Sequence, residues 1–251
     1  MAGERQRGME TIVPLVIPVV FVVMLVLERL FPGRPLPKVR FWALKGFGAF
    51  ILCMVFAGGV PAAMAVLIAG RSLVHLDSLP LSVAAVIGFL AGDFAFYGLH
   101  RLMHNVSFIW RWSHQMHHSA ERVDMLGSNY FHPIDFTLQI AVSTLPVMLL
   151  GISPSAAALG GLIGYFFGNF PHLNVRTPQW LGWFIQRPEA HAVHHGRGIH
   201  AYNYGNFPLW DILFGTFRNP ATFTEEAGFW DGASAKVGAM LLGRDVGAPS
   251  A

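Results

Sequence analysis

Three clusters of histidines, here called boxes, are the part of this sequence that could do chemistry. Eight of the twelve histidines in the chain lie in them, spaced three or four residues apart inside each box. On a helix, that spacing places the imidazoles one turn apart on a single face. Imidazole at neutral pH is a good ligand for iron, zinc, copper and nickel. The boxes contain His100 and His104, then His114, His117 and His118, and finally His191, His194 and His195.

The number of imidazoles indicates two metal ions. A tetrahedral zinc site takes three or four protein ligands, whereas a pair of ions with open positions takes about eight or nine nitrogens. A polar helix face would explain one such box, but it is a poor explanation for three in one apolar chain. No glutamate lies inside a box to act as a general base, which argues against a zinc hydrolase.

The elements that must position these histidines are membrane helices. The chain has 251 residues, of which 53% are hydrophobic and 12% charged, and this is typical of an integral membrane protein. We predict an all-α bundle of about four to five spans in a single domain, residues 1–251. The apolar segments are residues 11–30, 41–70 and 81–104, and a hairpin of 136–152 and 154–170.

The distribution of charge orients this bundle. Of the 17 Lys and Arg residues, 14 flank or follow the apolar segments on one predicted side, and the positive-inside bias makes that side cytoplasmic. The histidine boxes then lie on the cytoplasmic face. This arrangement needs residues 41–70 to cross once, as one kinked helix rather than a re-entrant pair. The excess of Arg over Lys suggests a bacterial protein of the inner membrane, and no nucleic-acid-binding motif is present.

The positions of other polar residues also predict their roles. Asp93, Tyr97, His100 and His104 share one helical stripe, so Asp93 or Tyr97 is predicted to support a ligating histidine, the alternative for Asp93 being an arginine partner. His75 and His200 are predicted to be ordinary polar residues. Residues 228–251 are predicted to form a loosely attached cytoplasmic tail.

The box pattern resembles that of the fatty acid hydroxylase and sterol desaturase superfamily of membrane di-iron enzymes. The pattern is HX3H, HX2HH and a later HX2HH, and the resemblance covers the core motif region, residues 93–217. Supporting stretches lie at residues 129–135, 171–175 and 203–216. Phe131 stands where many members carry a basic residue, and Gly196 where a serine is common.

The resemblance implies a ligand set and no catalytic residue beyond it. The eight box histidines would bind iron, and His172 would join them as a ninth ligand. His132 would either bind metal or hold its loop through Asp135. Asp211 would either orient a ligating histidine or help to dock the C-terminal segment, and we favour the structural role.

The resemblance also implies an activity, in which two Fe2+ ions and O2 hydroxylate a C–H bond of a fatty-acyl, sphingoid or sterol-like lipid. Desaturation by the same centre is the alternative. No dinucleotide, flavin or haem motif is present, so electrons would come from a separate reductase, ferredoxin or cytochrome b5-like protein. A non-enzymatic membrane metal-binding or metal-transport protein is the less favoured interpretation. Zinc could replace iron in recombinant samples because imidazole binds it more tightly.

Overall fold

The computed structural model describes residues 2–68 and 70–248, which form helices and loops. These ranges contain no β-strand, and one isolated antiparallel bridge joins Gly196 to Ala227. The predicted all-α class is therefore confirmed for the described part of the chain. Three short 3₁₀ helices lie at Phe170–His172, Gln179–Trp183 and Ala233–Ala235. The α-helices are α1 (Ala2–Leu30), α2 (Trp42–Ile68), α3 (Leu81–Asn105), α4 (Ser107–Trp112), α5 (Gln115–His118), α6 (Pro133–Leu149), α7 (Pro154–Asn169), α8 (Pro188–His194), α9 (Pro208–Leu213) and α10 (Val237–Leu241).

Three of the described helices are long and apolar enough to cross a bilayer, namely Thr11–Leu30 within α1, then α2 and α3. The segment that could have been a re-entrant pair is one continuous helix, α2, with Pro61 in its interior. Helices α6 and α7 have 17 and 16 residues. At about 1.5 Å per residue they fall short of a hydrocarbon core of about 30 Å. Four to five spans therefore remains a prediction.

The predicted hairpin is formed by α6 and α7, and it packs against α3. Its turn contains Gly151, whose φ of +64° belongs to the left-handed region that glycine adopts without strain. On α7, Gly160 lies so close to α3 that a Cβ atom would come within 2.8 Å of the Ala85 carbonyl oxygen. Small residues allow membrane helices to approach in this way.

The remaining short helices form a cap over one end of the bundle. An apolar core joins this cap to α1 and α2, and it contains Phe21, Trp42, Met116 and Tyr130. Glu28 of α1 also reaches the cap, where its carboxylate accepts hydrogen bonds from the Met125 and Asn174 backbone amides at 2.8 and 2.9 Å. Such bonds fix the end of a membrane helix to the loops beside it.

The prediction of a loose C-terminal tail was wrong for the described residues up to 248. Met240 is fully buried and Val246 is 6% exposed, and both belong to the core of the cap. The Gln115 side chain donates to the Arg244 carbonyl at 2.8 Å, and the Glu121 carboxylate accepts from the Gly232 amide at 2.8 Å. Residues 249–251 lie outside the described residues.

Because Gly160 lies against α3 and Gly161 does not, we expect alanine substitutions at these two positions to differ in their effect on stability. Gly160→Ala places a methyl group against α3 backbone, and we expect a loss of about 1–3 kcal/mol in unfolding free energy. Gly161→Ala is the matched control, since a Cβ there meets no atom within 4 Å. Thermal unfolding of the purified protein in detergent measures both, and equal midpoints would contradict the packing described here.

Candidate metal centre

The structure gathers nine histidines into two groups. Within each group, one nitrogen of every imidazole lies within 4.8 Å of one nitrogen of every other. The second and third boxes are divided between the groups, because neighbouring histidines on a short helix point in different directions. One group contains His100, His104, His114, His118 and His194, and the other contains His117, His172, His191 and His195.

The inner nitrogens are spaced like ligands of a metal ion. In the first group, the Nε2 atom of His100 lies 2.9 Å from that of His114 and 3.3 Å from that of His104. In the second, His172 Nε2 lies 3.0 Å from the Nε2 atoms of both His117 and His191. With metal–nitrogen bonds of about 2.0–2.1 Å, adjacent ligands in octahedral or tetrahedral geometry are about 2.9–3.4 Å apart. The two groups therefore fit metal ions.

The outer nitrogens of four of these rings have acceptors. The Nδ1–H group of His100 donates to the Tyr204 carbonyl at 2.6 Å, and that of His194 donates to the Tyr202 carbonyl at 2.7 Å. His172 donates to the Gly168 carbonyl at 3.0 Å. A ring that donates from Nδ1 carries its lone pair on Nε2, which is the nitrogen that faces its group.

His114 has a carboxylate as its outer partner. Its Nδ1–H group donates to Asp135 at 2.8 Å, and both side chains are almost wholly buried. The other Asp135 oxygen accepts from the Gln139 amide at 2.6 Å. A carboxylate in this position fixes the ring and makes Nε2 a stronger donor to a metal.

Burial keeps the imidazoles neutral. It lowers the pKa values of His117, His118, His191, His194 and His195 well below the usual histidine range, and nearby histidines lower them further. For His172, burial lowers the pKa to about 4. A neutral imidazole has a lone pair for a metal, whereas a protonated one has none.

Each box is held by a different element. The first box ends membrane helix α3, and the second lies in the short helix α5 just after it. The third box lies on α8, which is held by the buried ion pair of Arg187 with Glu189 at 3.0 Å. Arg187 also donates to the Thr177 carbonyl and to Asn219, both at 2.7 Å. This network anchors α8 to the surrounding loops.

Asp93 and Asp211 act on the loop after the third box. Neither the histidine partner nor the arginine partner expected for Asp93 appears among the described residues. Its carboxylate accepts from the Asn206 and Phe207 amides at 3.2 and 3.1 Å. Asp211 accepts from the Tyr204 amide at 2.8 Å. Together they hold the loop whose Tyr204 carbonyl orients His100, so their support for a ligand is indirect.

Two further predicted residues lie beside the groups. The Tyr97 hydroxyl pairs with Thr216 at 3.0 Å and accepts from Arg101 at 3.2 Å, so it has no histidine partner among the described residues. His132 belongs to neither group. Its Nδ1 atom accepts from the Ile134 amide at 3.1 Å and caps α6, which carries Asp135.

His200 is the site residue that sequence reasoning missed. Its Nδ1 atom lies 3.1 Å from that of His118, and burial lowers its pKa to about 4. It has a positive φ of 41°, as do Tyr202 and Asn203 at 70° and 49°. Three non-glycine residues with positive φ indicate that the backbone is strained in this loop, which lies against the histidine groups. Its place five residues after the third box was the only signal in the sequence.

A large cavity opens from the histidine groups into the helical bundle. It encloses about 1340 Å3 and has walls from α1, α2, α3, α6 and α7. This exceeds the range of about 300–1,000 Å3 that is usual for small-molecule pockets. The far end lies at the turn between α6 and α7. The histidines that line its near end are His100, His114, His117, His172 and His191.

Comparison with known proteins places these features in a family. The model of the fatty acid hydroxylase family matches residues 85–216, which include all nine grouped histidines. The chain belongs to the fatty acid hydroxylase family. No solved structure gives a significant match.

Three relatives illustrate the range of names in the family. An ornithine lipid hydroxylase of Rhizobium tropici is 35% identical over 149 residues, which are 57% of this chain and 44% of the relative. An alkylglycerol monooxygenase of Homo sapiens is 34% identical, over 52% of this chain and 29% of the relative. A lathosterol oxidase of Homo sapiens is 32% identical, over 56% and 47%. The matched region spans less than half of each relative.

The two groups predict how single substitutions change metal content. After anaerobic reconstitution with Fe(II), we expect two ions per chain in the wild-type protein and fewer in His104→Ala or His172→Ala, because each removes a ligand from one group. His75→Ala is the control and should keep both ions, because His75 is exposed and belongs to neither group. Elemental analysis of folded, monodisperse protein gives the count. Two tightly held ions in His172→Ala would remove His172 from the ligand set.

Asp135 provides a separate prediction about metal affinity. Asp135→Asn replaces the charged partner of His114, and we expect metal to bind about 10–100-fold more weakly. Asp231→Asn is the matched control because that side chain is 92% exposed, outside both groups. Competition with a chelator measures the affinities. Equal values for wild type and Asp135→Asn would show that the His114–Asp135 bond does not tune the site.

Proposed function

We propose that this protein is a membrane di-iron oxygenase that hydroxylates an aliphatic C–H bond of a lipid. The observation that carries the proposal is a single cavity that joins two groups of buried histidines to the interior of an apolar helical bundle. The reaction consumes one O2, two electrons and two protons, and gives the alcohol and one water.

The donor set favours this chemistry. Nine neutral imidazoles leave two bound cations with their positive charge uncompensated, so they remain electrophilic. Two iron ions held there would supply O2 activation for attack on an unactivated C–H bond. A transport protein would instead place histidines along its spans, whereas these gather at one end of the bundle. Among the described residues, Asp135 is the only acidic side chain that hydrogen-bonds to a ring of the two groups, and that ring is His114.

The chain itself positions the substrate and excludes water. The cavity runs along α7 from Asn169 to Ala157, a distance of about 18 Å at 1.5 Å per residue. One methylene of an extended alkyl chain advances about 1.25 Å, so this length accommodates roughly 14 carbons. The histidine end is closed by the cap, which keeps bulk water from the reacting carbon.

Further parts of the proposal concern partners and topology. Electrons would come from an external reductase, ferredoxin or cytochrome b5-like protein, because the sequence has no dinucleotide fingerprint. We place the cap on the cytoplasmic side, as the distribution of Lys and Arg favours, in a bacterial inner membrane. Residues 1–251 would then form one domain with its redox partner on the cap side.

Desaturation is the second candidate function, and the name of one relative supports it. A sterol 5(6)-desaturase of Eremothecium gossypii is 32% identical over 56% of this chain, alongside the hydroxylase and the monooxygenase. Both outcomes begin with removal of one hydrogen from carbon. They differ in whether a hydroxyl is returned or a second hydrogen leaves.

Lipid mass spectrometry of cells that express the gene tests the proposal. We expect a membrane lipid to gain one oxygen with the wild-type gene and not with His117→Ala or His194→Ala. His75→Ala controls for loss of a histidine outside both groups. A loss of two hydrogens would replace hydroxylase by desaturase. No lipid change in cells that contain folded, iron-loaded protein would refute both.

A further inference from the structure

A polar site interrupts the apolar wall of the cavity. Tyr165 lies on α7, about two turns before His172, and lines the cavity together with Asn129 and Asn169. The Asn129 amide donates to Ser128 at 2.9 Å and to Asn169 at 3.4 Å, and Asn169 donates to the Tyr165 carbonyl at 2.8 Å. The two asparagines thus have partners within the protein.

The Tyr165 hydroxyl has no acceptor among the described residues. Its oxygen is buried, and the polar group near it is the Asn129 amide, which is a donor and already donates to Ser128 and Asn169. A buried hydroxyl that cannot donate a hydrogen bond destabilises the folded protein unless an acceptor is bound to it. In the wall of a cavity, a bound molecule would supply that acceptor.

An aromatic ring lines the cavity beside the histidines. Phe131 lines the cavity and stacks on His117, with ring centroids 4.0 Å apart. It also meets Phe136 edge to face at 5.3 Å. The part of a bound molecule that lies next to the histidines therefore contacts aromatic carbon, and an alkyl segment fits there better than a polar head.

We propose that the Tyr165 hydroxyl binds an oxygen atom of the lipid, and so sets which carbon faces the histidine groups. The ligand class is a lipid with a hydroxyl, ether or carbonyl oxygen and an alkyl chain. Seven residues separate Tyr165 from His172, about 10 Å of helix, which corresponds to roughly eight C–C bonds. The oxidised carbon then lies several bonds from the bound oxygen. Binding of a lipid oxygen by Tyr165 is independent of the proposed function, whereas the choice of the oxidised carbon rests on it.

Cys53 makes the binding step measurable without catalysis. It is the only cysteine in the chain, lines the same cavity and lies near Tyr165. The test measures alkylation of Cys53 by N-ethylmaleimide, by intact-protein mass spectrometry, in micelles that contain hexadecan-1-ol or hexadecane at equal mole fraction. The two probes share a chain and differ by one oxygen.

We expect hexadecan-1-ol to slow alkylation about two- to tenfold more than hexadecane does in the wild-type protein, the range given by one hydrogen bond. Tyr165→Phe should abolish this difference and leave protection by hexadecane unchanged. Thr137→Val is the matched control. It removes a hydroxyl from an exposed position of α6 outside the cavity lining, and should keep the difference.

Two outcomes would overturn the proposal: equal protection by both probes in the wild type, or an undiminished difference in Tyr165→Phe. Iron loading and lipid oxidation are measured separately on the same preparations. If the probe difference depends on Tyr165 while no lipid is oxidised, the binding role holds and the oxygenase function fails. If lipids are oxidised with the same positional pattern by Tyr165→Phe and wild type, the role in positioning fails while the function holds.

Discussion

The burial of nine imidazoles in one place is the constraint on which the rest of this structure depends. Each ring has two nitrogens that need partners. In four rings the outer nitrogen has an acceptor, which is a backbone carbonyl or Asp135, and inner nitrogens in both groups face one another at hydrogen-bonding distance. Neutral lone pairs in that arrangement repel unless a cation lies among them. A bound cation makes these ring positions favourable. Without one, the rings are held in place by the cap, by the strained loop at residues 200–203 and by the ion pair beside α8.

Much of the site could be predicted from the sequence because the metal-binding histidines follow a short, regular spacing. Pairs such as His100 and His104 lie one turn apart on any helix, and an apolar chain gives few other reasons to bury them. The apolar segments likewise predicted the five longest helices, three of which are long enough to cross a bilayer. The division of the histidines into two groups could not be predicted. His117 and His118 are adjacent in sequence yet face different groups, and only the packing of α5 against α3 and α8 decides this.

Hydrogen bonds from side chains to distant backbone groups could not be predicted from the sequence either. Asp93 shares a helical stripe with His100, which suggested direct contact, but its carboxylate binds amides of a loop more than a hundred residues later. The C-terminal residues were read as a tail because they are rich in glycine and alanine. The burial of Met240 and Val246 fixes them against the cap, and so do hydrogen bonds of this segment with Gln115 and Glu121. Long-range hydrogen bonds of this kind have no periodicity to read.

The interleaving of the two groups has a consequence for assembly. Helix α5 sends His117 to one group and His118 to the other, and α8 divides His191 and His194 in the same way. An ion that binds either group therefore fixes the helices that carry ligands of its neighbour. The rings of both groups are then oriented by the first ion, and the second ion binds with less rearrangement. Metal occupancy should therefore rise cooperatively with concentration, so that singly loaded protein is a minor species at every stage of loading.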